Sequence, residues 1–167
     1  MRTRRLWSWV ASIVLCAAAG CALAAAPGET APAFALSTAD GRTIALDALR
    51  GRVVYLDFWA SWCGPCRRSF PWMNEIEQRY AANGLTVVAI NVDKKREDAA
   101  KFLAATPGAF TIVYDPAGAV ASSYDVKGMP TSYLVDRAGR IVAVDSGFRD
   151  DAKAAWEARI KSALDTK

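Results

Sequence analysis

The chain has 167 residues, of which 53% are apolar and 23% charged, so it can form one globular domain with its own core and is not a disordered protein. Its formal charge of +4 falls to +1 without residues 1–24, because removing three of the 21 basic residues leaves 18 against 17 acidic ones. This balance offers no basic stripe for nucleic acid, so we expect no nucleic-acid partner.

The first 24 residues have the parts of a bacterial export signal. Basic "MRTRR" precedes the apolar run "LWSWVASIVLCAAAG", and Ala22–Ala24 supplies small residues for cleavage after Ala24. Two alternatives stay open. Residues 6–28 carry no charge and can span a bilayer uncut, and "AAAG" before Cys21 is a loose lipoprotein signal that would anchor the protein through a lipid on Cys21. All three place the domain in the periplasm.

Residues 25–32 are predicted to form a short Pro/Gly/Ala linker, and residues 33–167 the folded domain. Near the start of the domain, "FALSTADGRTIAL" places two short apolar runs around Asp40-Gly41, which predicts a β-hairpin. The nearly continuous apolar run Val53–Ala60 predicts a buried central strand.

A helix is predicted from Pro65 to Gly84, kinked by the internal Pro71. A buried strand at Leu85–Asp93 follows. The later elements are a helix in "KKREDAAKFLAA", a strand at Thr111–Asp115, a short helix in "GAVASSYDV", two strands in "TSYLVDRAGRIVAVDSG" that turn at Ala138-Gly139, and an amphipathic terminal helix in "RDDAKAAWEARIKSALD". Strands alternating with helices predict an α/β sheet covered on both faces.

The chain has four cysteines, and the predicted cleavage leaves two of them. Cys16 and Cys21 lie in the signal, so Cys63 and Cys66 remain. In an oxidising compartment such a pair is either an inert staple or redox-active. Since closing a two-residue loop gains little entropy, a purely stabilising role is a poor use of it.

The motif "CGPCRR" stands where the central strand ends and a helix begins, which is where open α/β sheets expose chemistry. The free N–H groups at the start of that helix would stabilise a thiolate on Cys63, and Arg67 and Arg68 would add positive potential. Pro65 suits the first helical turn, and Gly64 is expected to allow close packing of the two sulfurs.

Metal and histidine chemistry are weak alternatives, because the chain has no histidine. A closed zinc site needs four ligands, c-type haem attachment needs a histidine after the second cysteine, and Cys-His or Ser-His hydrolysis needs an imidazole. A copper site made of the two thiolates and Met129 stays open. The sequence predicts no metal and no cofactor.

Asp57 is a carboxylate inside an otherwise apolar run, six residues before Cys63. Burial would raise its pKa and make it a candidate acid/base for Cys66, whereas a watery sheet edge would leave it without a role. Of the nearby tryptophans, Trp59 is predicted to lie in the core. Trp62 is predicted to form an apolar contact surface for protein substrates, with packing in the core as the alternative.

"DFWASWCGPC", with Pro71 and the later "GMPTSYLVD", resembles the thioredoxin superfamily, and the signal and length are similar to its exported TlpA/ResA-like disulfide reductases. The resemblance implies a thioredoxin fold, a central mixed β-sheet flanked by helices, with the N-terminal hairpin and a helix-strand insert at Lys94–Asp115. It further implies that Cys63 is the exposed nucleophile and Cys66 the buried resolving thiol.

The resemblance also implies that Pro130 is a cis proline beside the sulfurs and that the backbone of Met129 pairs with an extended substrate. Trp62, Gly64 and Pro65 complete the predicted substrate-binding set. Two positions depart from the pattern: Ser69 stands where many of these proteins have Glu, and Ala89 stands where thioredoxin has the Lys that accompanies its buried acid.

The expected function is the reduction of protein disulfides, with a membrane thiol shuttle as electron donor. Apocytochrome c and copper-delivery proteins are the candidate substrates. The alternatives are a disulfide oxidase or isomerase and a non-enzymatic copper-binding module. A peroxiredoxin is disfavoured, because Ala60 occupies the position three residues before Cys63 where that class needs Thr.

Overall fold

The computed structural model describes residues 25–166. The predicted export signal, its two alternatives and Cys16 and Cys21 therefore lie outside the described residues. Between residues 25 and 166, no helix combines the length and the apolar character needed to cross a membrane.

The described residues contain seven strands and four α-helices. The strands are β1 (Ala35–Ser37), β2 (Thr43–Ala45), β3 (Val53–Trp59), β4 (Leu85–Asn91), β5 (Thr111–Tyr114), β6 (Thr131–Val135) and β7 (Ile141–Ser146). The helices are α1 (Cys66–Tyr80), α2 (Arg96–Ala105), α3 (Ala119–Ser123) and α4 (Lys153–Asp165). This alternation is the one that the sequence pattern predicts, and the α/β fold class is confirmed.

The strands form one mixed sheet in the order β2-β1-β5-β4-β3-β6-β7. β3 runs parallel to β4 and antiparallel to β6, and all seven of its residues are buried. In the β3–β4 register Trp59 is level with Asn91, so these two strands end side by side at the same edge. Whatever follows them in sequence is brought together there.

Each face of the sheet carries a separate hydrophobic core. Alternate residues of β3, including Tyr55 and Trp59, join α1, α2 and α4 in a first cluster that also contains Cys66. The intervening residues, such as Leu56 and Phe58, pack in a second cluster on the opposite face. Both faces of the sheet are therefore covered, which explains why β3 is apolar along nearly its whole length.

The insert, α2 and β5, is joined to the first cluster by aromatic packing. Phe102 of α2 lies 4.8 Å from the ring of Trp59 and 5.0 Å from that of Phe70. β5 pairs in parallel with β4 and separates it from the hairpin. The insert therefore forms one side of the edge where β3 and β4 end.

Several element boundaries differ from the predictions by a few residues, and the ends of α1 and β4 are two of them. α1 ends at Tyr80, and one 3₁₀ turn leads to Gly84, whose φ of +105° favours glycine. The strand predicted to reach Asp93 ends at Asn91, because the Asp93 N–H donates to the Asn91 side chain instead of a neighbouring strand.

Residues 25–32, the predicted linker, make specific contacts with the domain. The backbone N–H of Gly28 donates to the carbonyl of Ile141, and that of Ala31 donates to the carbonyl of Gly139. Ala31 is buried. Ordered packing thus begins before residue 33.

Candidate active site

Cys63 and Cys66 form a disulfide at the start of α1, with an S–S distance of 2.01 Å. The turn after β3 is closed by a hydrogen bond from the Cys63 N–H to the carbonyl of Ala60. Cys66 is the first residue of α1, and its N–H lies 3.2 Å from Cys63 Sγ, to which it donates. A free N–H at the helix start is thus directed at the predicted nucleophile, an arrangement that favours a thiolate there.

The two cysteines differ little in exposure in this disulfide form. Cys66 is fully buried and Cys63 is only 3% exposed, so the expected exposed nucleophile is not found in this state, because its sulfur is bonded inward against the start of α1. The neighbouring Trp62 is 71% exposed, and Gly64 and Pro65 are also exposed. A partner would therefore meet these three residues first.

The predicted reason for Gly64 is wrong. Apart from its chain neighbours Cys63 and Pro65, a Cβ atom added at this position would meet no atom within 4 Å, so Cys66 does not need the absence of a side chain there. Pro65, with φ −59° and ψ −30°, already has helical geometry and leads directly into α1, as predicted.

Arg67 and Arg68 lie in the first turn of α1, and both are exposed. The Arg67 guanidinium lies over the ring of Phe102, 4.8 Å from its centroid. The insert thus holds one of the two cations beside the disulfide.

A buried carboxylate holds the loop between β3 and the disulfide. Asp93 accepts hydrogen bonds from the backbone N–H of Ser61 at 2.9 Å, from the Ser61 hydroxyl at 3.0 Å and from the Asn91 side chain at 2.8 Å. These bonds tie the loop that carries Trp62 and Cys63 to the end of β4. The signal for this role in the sequence is the pair of polar residues, Asn91 and Asp93, directly at the end of a buried strand.

Asp57 is fully buried on the α1 side of β3, between Tyr55 and Trp59, which pack in the same cluster as Cys66. Its Oδ1 accepts a hydrogen bond of 2.7 Å from the Ser132 hydroxyl, and its Oδ2 has no hydrogen-bond partner. Burial raises the pKa of Asp57 to about 7, against the lowering effect of the Ser132 hydrogen bond. The expected burial is confirmed and the sheet-edge alternative is wrong, while the acid/base role of Asp57 stays a prediction.

Ser132 is the partner of Asp57 that the sequence analysis missed. In the sheet, Asp57 is level with Ala89 of β4 on one side and with Ser132 of β6 on the other. The methyl group of Ala89 offers no hydrogen bond, so the polar contact comes from β6. A hydroxyl within the otherwise apolar "SYLV", two residues after Pro130, was the signal for it.

Met129 and Pro130 precede β6. The peptide bond between them is cis, as the resemblance implies, and the place of Pro130 beside the sulfurs stays a prediction. Pro130 is buried, whereas Met129 is half-buried and packs against both hydrophobic clusters. The substrate-binding role of these residues stays a prediction.

Residues 25–166 contain no group of three or more His, Cys, Asp or Glu side chains arranged to hold a metal ion. In the disulfide form the two sulfurs of the alternative copper site are bonded to each other. The chemistry that this arrangement supports directly is thiol–disulfide exchange.

The burial of Asp57 predicts a pH-dependent stability. Since its pKa in the folded protein is about 7, above the ordinary 3.8, the unfolded chain releases this proton more readily. The stabilisation of the folded protein by protonated Asp57 is fully present below pH 4. It is lost as the pH rises to 7, which lowers the free energy of unfolding by up to about 4 kcal/mol. Asp57→Asn should therefore raise the free energy of unfolding at pH 8 and change it little at pH 4, measured by urea denaturation of the oxidised protein.

Asp151→Asn is the matched control, because Asp151 is exposed and the substitution removes the same charge. It should leave the pH dependence of the wild type in place. Equal slopes for wild type and Asp57→Asn between pH 4 and 8 would contradict the shifted pKa.

Comparisons with known proteins agree with this geometry. A family model described as Redoxin matches residues 26–160. The thiol-disulfide oxidoreductase ResA of Geobacillus thermodenitrificans is 38% identical over 124 residues, which cover 74% of this chain and 71% of that protein. The protein of the same name from Bacillus subtilis is 34% identical over 120 residues, covering 72% of this chain and 67% of the other.

Among solved structures, the crystal structure of a candidate thiol:disulfide interchange protein DsbE from Chlorobium tepidum matches with a TM-score of 0.81 and 52% identity. The match covers 83% of this chain and 98% of that one. The chain belongs to the Redoxin family and is a thiol-disulfide oxidoreductase of the thioredoxin superfamily, similar to the ResA proteins.

Proposed function

We propose that this protein is an exported reductase of protein disulfides. One observation carries the proposal: a disulfide-forming pair at the start of α1, with the first helical N–H donating to Cys63 Sγ. Exposed Trp62 beside it offers an apolar surface on which a protein substrate can settle.

In the first step, the reduced enzyme attacks the substrate. The Cys63 thiolate forms a bond to one substrate sulfur, the substrate disulfide breaks, and the other substrate sulfur leaves as a thiolate that takes a proton from solvent. The Cys66 N–H, which lies 3.2 Å from Cys63 Sγ in the oxidised form, supports the negative charge of the attacking sulfur.

In the second step, Cys66 releases the substrate. Asp57, as carboxylate, accepts the Cys66 proton directly or through one water, and the new thiolate attacks Cys63 Sγ. The Cys63–Cys66 disulfide forms and the second substrate sulfur leaves as a thiolate that is protonated. Two electrons and two protons have passed to the substrate. A pKa of about 7 suits Asp57 to this exchange near neutral pH.

One further feature supports reduction as the direction. The Gly-Pro dipeptide between the cysteines is that of thioredoxin, whose potential is about −270 mV. The oxidised enzyme must then be recharged by a dithiol, which we assign to a membrane thiol shuttle. Candidate substrates are apocytochrome c and copper-delivery proteins. Export rests on residues 1–24, with a membrane anchor only if Cys21 is lipidated or the signal is retained.

Trapping tests the exchange mechanism. Cys66→Ala leaves Cys63 able to attack but removes the resolving thiol, so mixed disulfides through Cys63 should accumulate in the periplasm of the native host. Non-reducing gels before and after dithiothreitol, followed by mass spectrometry, would identify the partners. Cys63→Ala is the control and should trap none. The mechanism fails if Cys66→Ala traps no partner while Cys63→Ala retains full function.

Redox equilibration decides between reductase and oxidase. The purified protein, incubated in glutathione buffers of known ratio, should stay oxidised until the buffer is strongly reducing and give a potential near that of thioredoxin, about −270 mV. A potential near −120 mV, that of a strong oxidant, would instead assign the protein to disulfide formation.

Ser132→Ala tests the role of Asp57 in the second step. Losing the hydroxyl that stabilises the Asp57 carboxylate raises the pKa of Asp57 further, so the rate of mixed-disulfide resolution should reach its plateau at higher pH. Asp57→Asn should remove this pH dependence and slow resolution by about 10². Stopped-flow fluorescence of single-turnover peptide reduction measures both effects.

Ser132→Thr retains the hydroxyl on the same strand and should restore the wild-type pH profile. A Ser132→Ala profile that coincides with the wild type would mean that this hydroxyl only fills space. An Asp57→Asn protein with an unchanged profile would remove Asp57 from the mechanism.

A further inference from the structure

Some basic residues of the domain contact a carboxylate or a backbone carbonyl, and others contact neither. Of the 17 Lys and Arg residues among residues 25–166, eight form ion pairs and three more donate hydrogen bonds to backbone carbonyls. Six have neither kind of contact. Five of these six lie in two short segments, and we call them the basic rim: Arg67, Arg68, Lys94, Lys95 and Arg96.

The fold places both segments of the basic rim beside the disulfide. One begins directly after Cys66, and the other directly follows Asp93. Since β3 and β4 are parallel and end level with each other, their following loops emerge side by side. The hydrogen bonds from Ser61 to Asp93 join the two loops directly. Lys94 is thus held next to the loop that carries Trp62 and Cys63.

The acidic groups around the basic rim do not neutralise it. Asp93 is buried and occupied by Ser61 and Asn91. Asp98 lies 3.8 Å from Lys101, and Asp150, which faces Arg68, lies 2.7 Å from Lys153. Of the carboxylates on the elements that carry or face the rim, Glu97 is the one exposed group without an ion pair among the described residues. The five cations of the basic rim thus outnumber the two nearby carboxylates that have no ion pair, buried Asp93 and exposed Glu97.

A groove leads from the active-site loop along α2. It has a volume of about 350 Å³, and Phe102 with the overlying Arg67 forms part of its wall. Its lining residues are Ser61, Arg67, Asp98, Lys101, Phe102 and Ala105. An extended segment that enters beside the disulfide would pass cations along this side.

We propose that the basic rim and this groove recognise an acidic segment next to the disulfide of the protein substrate. This inference rests on the proposed function and names the chemistry of the substrate. Trp62 supplies the apolar contact at the sulfurs, while the rim raises the rate of encounter with negatively charged chains. In a domain with 17 basic and 17 acidic residues between residues 25 and 166, this attraction comes from the local arrangement of charge rather than from net charge.

Cations held near the loop that carries Cys63 would also lower the pKa of its thiol, and they would do so for every substrate alike. The two effects are separable, because thiolate activation is independent of the charge of the partner. Substrate recognition, by contrast, depends on that charge.

The experiment measures the attack of Cys63 alone. A Cys66→Ala protein reacts with three synthetic peptides, each carrying one cysteine as a neutral pyridyl disulfide flanked by three Glu, three Gln or three Lys residues. Cys63 Sγ forms a bond to the sulfur of the peptide cysteine, the S–S bond between that sulfur and the pyridyl-bearing sulfur breaks, and the released pyridinethione is followed by absorbance. The Gln peptide reports the intrinsic reactivity of Cys63.

At low ionic strength, the second-order rate constant for the Glu peptide should exceed that for the Lys peptide about tenfold. The ratio should approach one in 1 M salt, where the Debye length falls to about 3 Å. Lys94→Glu should lower the ratio at least threefold. Arg159→Glu is the matched control, since Arg159 is the sixth cation with neither an ion pair nor a hydrogen bond to a carbonyl and lies on α4. It should leave the ratio unchanged.

Each other outcome overturns the inference in a recognisable way. Equal rates for the Glu and Lys peptides at low salt would mean that the basic rim does not distinguish acidic from basic substrates. If Lys94→Glu lowers the rate constants of all three peptides equally, the basic rim only lowers the pKa of the Cys63 thiol and does not recognise the substrate. If Arg159→Glu changes the ratio as much as Lys94→Glu, only net charge matters. If the Gln peptide reacts no faster with Cys63 than with free cysteine, the proposed exchange function fails, and this inference fails with it.

Discussion

The burial of β3 on both faces is the constraint on which the rest of the site depends. A strand covered by two hydrophobic clusters can be apolar throughout, and its buried end gives the cysteine loop a rigid support. The same burial leaves Asp57 without water, so its charge is expensive, and Ser132 offsets only part of the cost. A carboxyl group that titrates near neutrality is a direct consequence of its place in the strand.

The side-by-side ends of β3 and β4 extend this constraint to the surface. Asp93 and Asn91 close the end of β4 and hold Ser61, so the loop carrying Trp62 and Cys63 cannot move independently of the next loop. The insert adds a second support, because Phe102 packs against Trp59 below and carries Arg67 above. The disulfide is therefore fixed from β3, from β4 and from α2. This suits a site that must present one sulfur to many approaching chains.

Local patterns predicted the elements and the cysteine pair well, because a continuous apolar run, helical spacing and a CGPC motif are properties of neighbouring residues. Pairing across the sheet was not predictable in the same way. Ser132 lies far along the chain from Asp57, and only the antiparallel register with β6 places its hydroxyl at the carboxylate. From the sequence alone, Lys94 and Lys95 are predicted to begin a polar helix. Only the parallel register of β3 and β4 shows that they lie beside the cysteines. The motif suggested that Gly64 lets the two sulfurs pack closely. That interpretation was wrong, because the space where a Cβ atom would lie is open.

The features that cost stability share one end of the sheet. A buried Asp57 with an unpartnered oxygen and a group of exposed cations without ion pairs both depart from what folding alone would favour. Elsewhere among residues 25–166, most cations are paired or bonded to carbonyls, and Asp115 shows that a buried carboxylate can be satisfied, since it accepts two backbone N–H groups at the start of α3. Across most of the domain, cations are partnered and buried carboxylates are satisfied. The failure of both rules at one end of the sheet indicates selection for activity there. The two departures also serve successive stages of one reaction, because exposed cations act on an approaching chain and a buried carboxyl group acts on a proton after the first bond has formed.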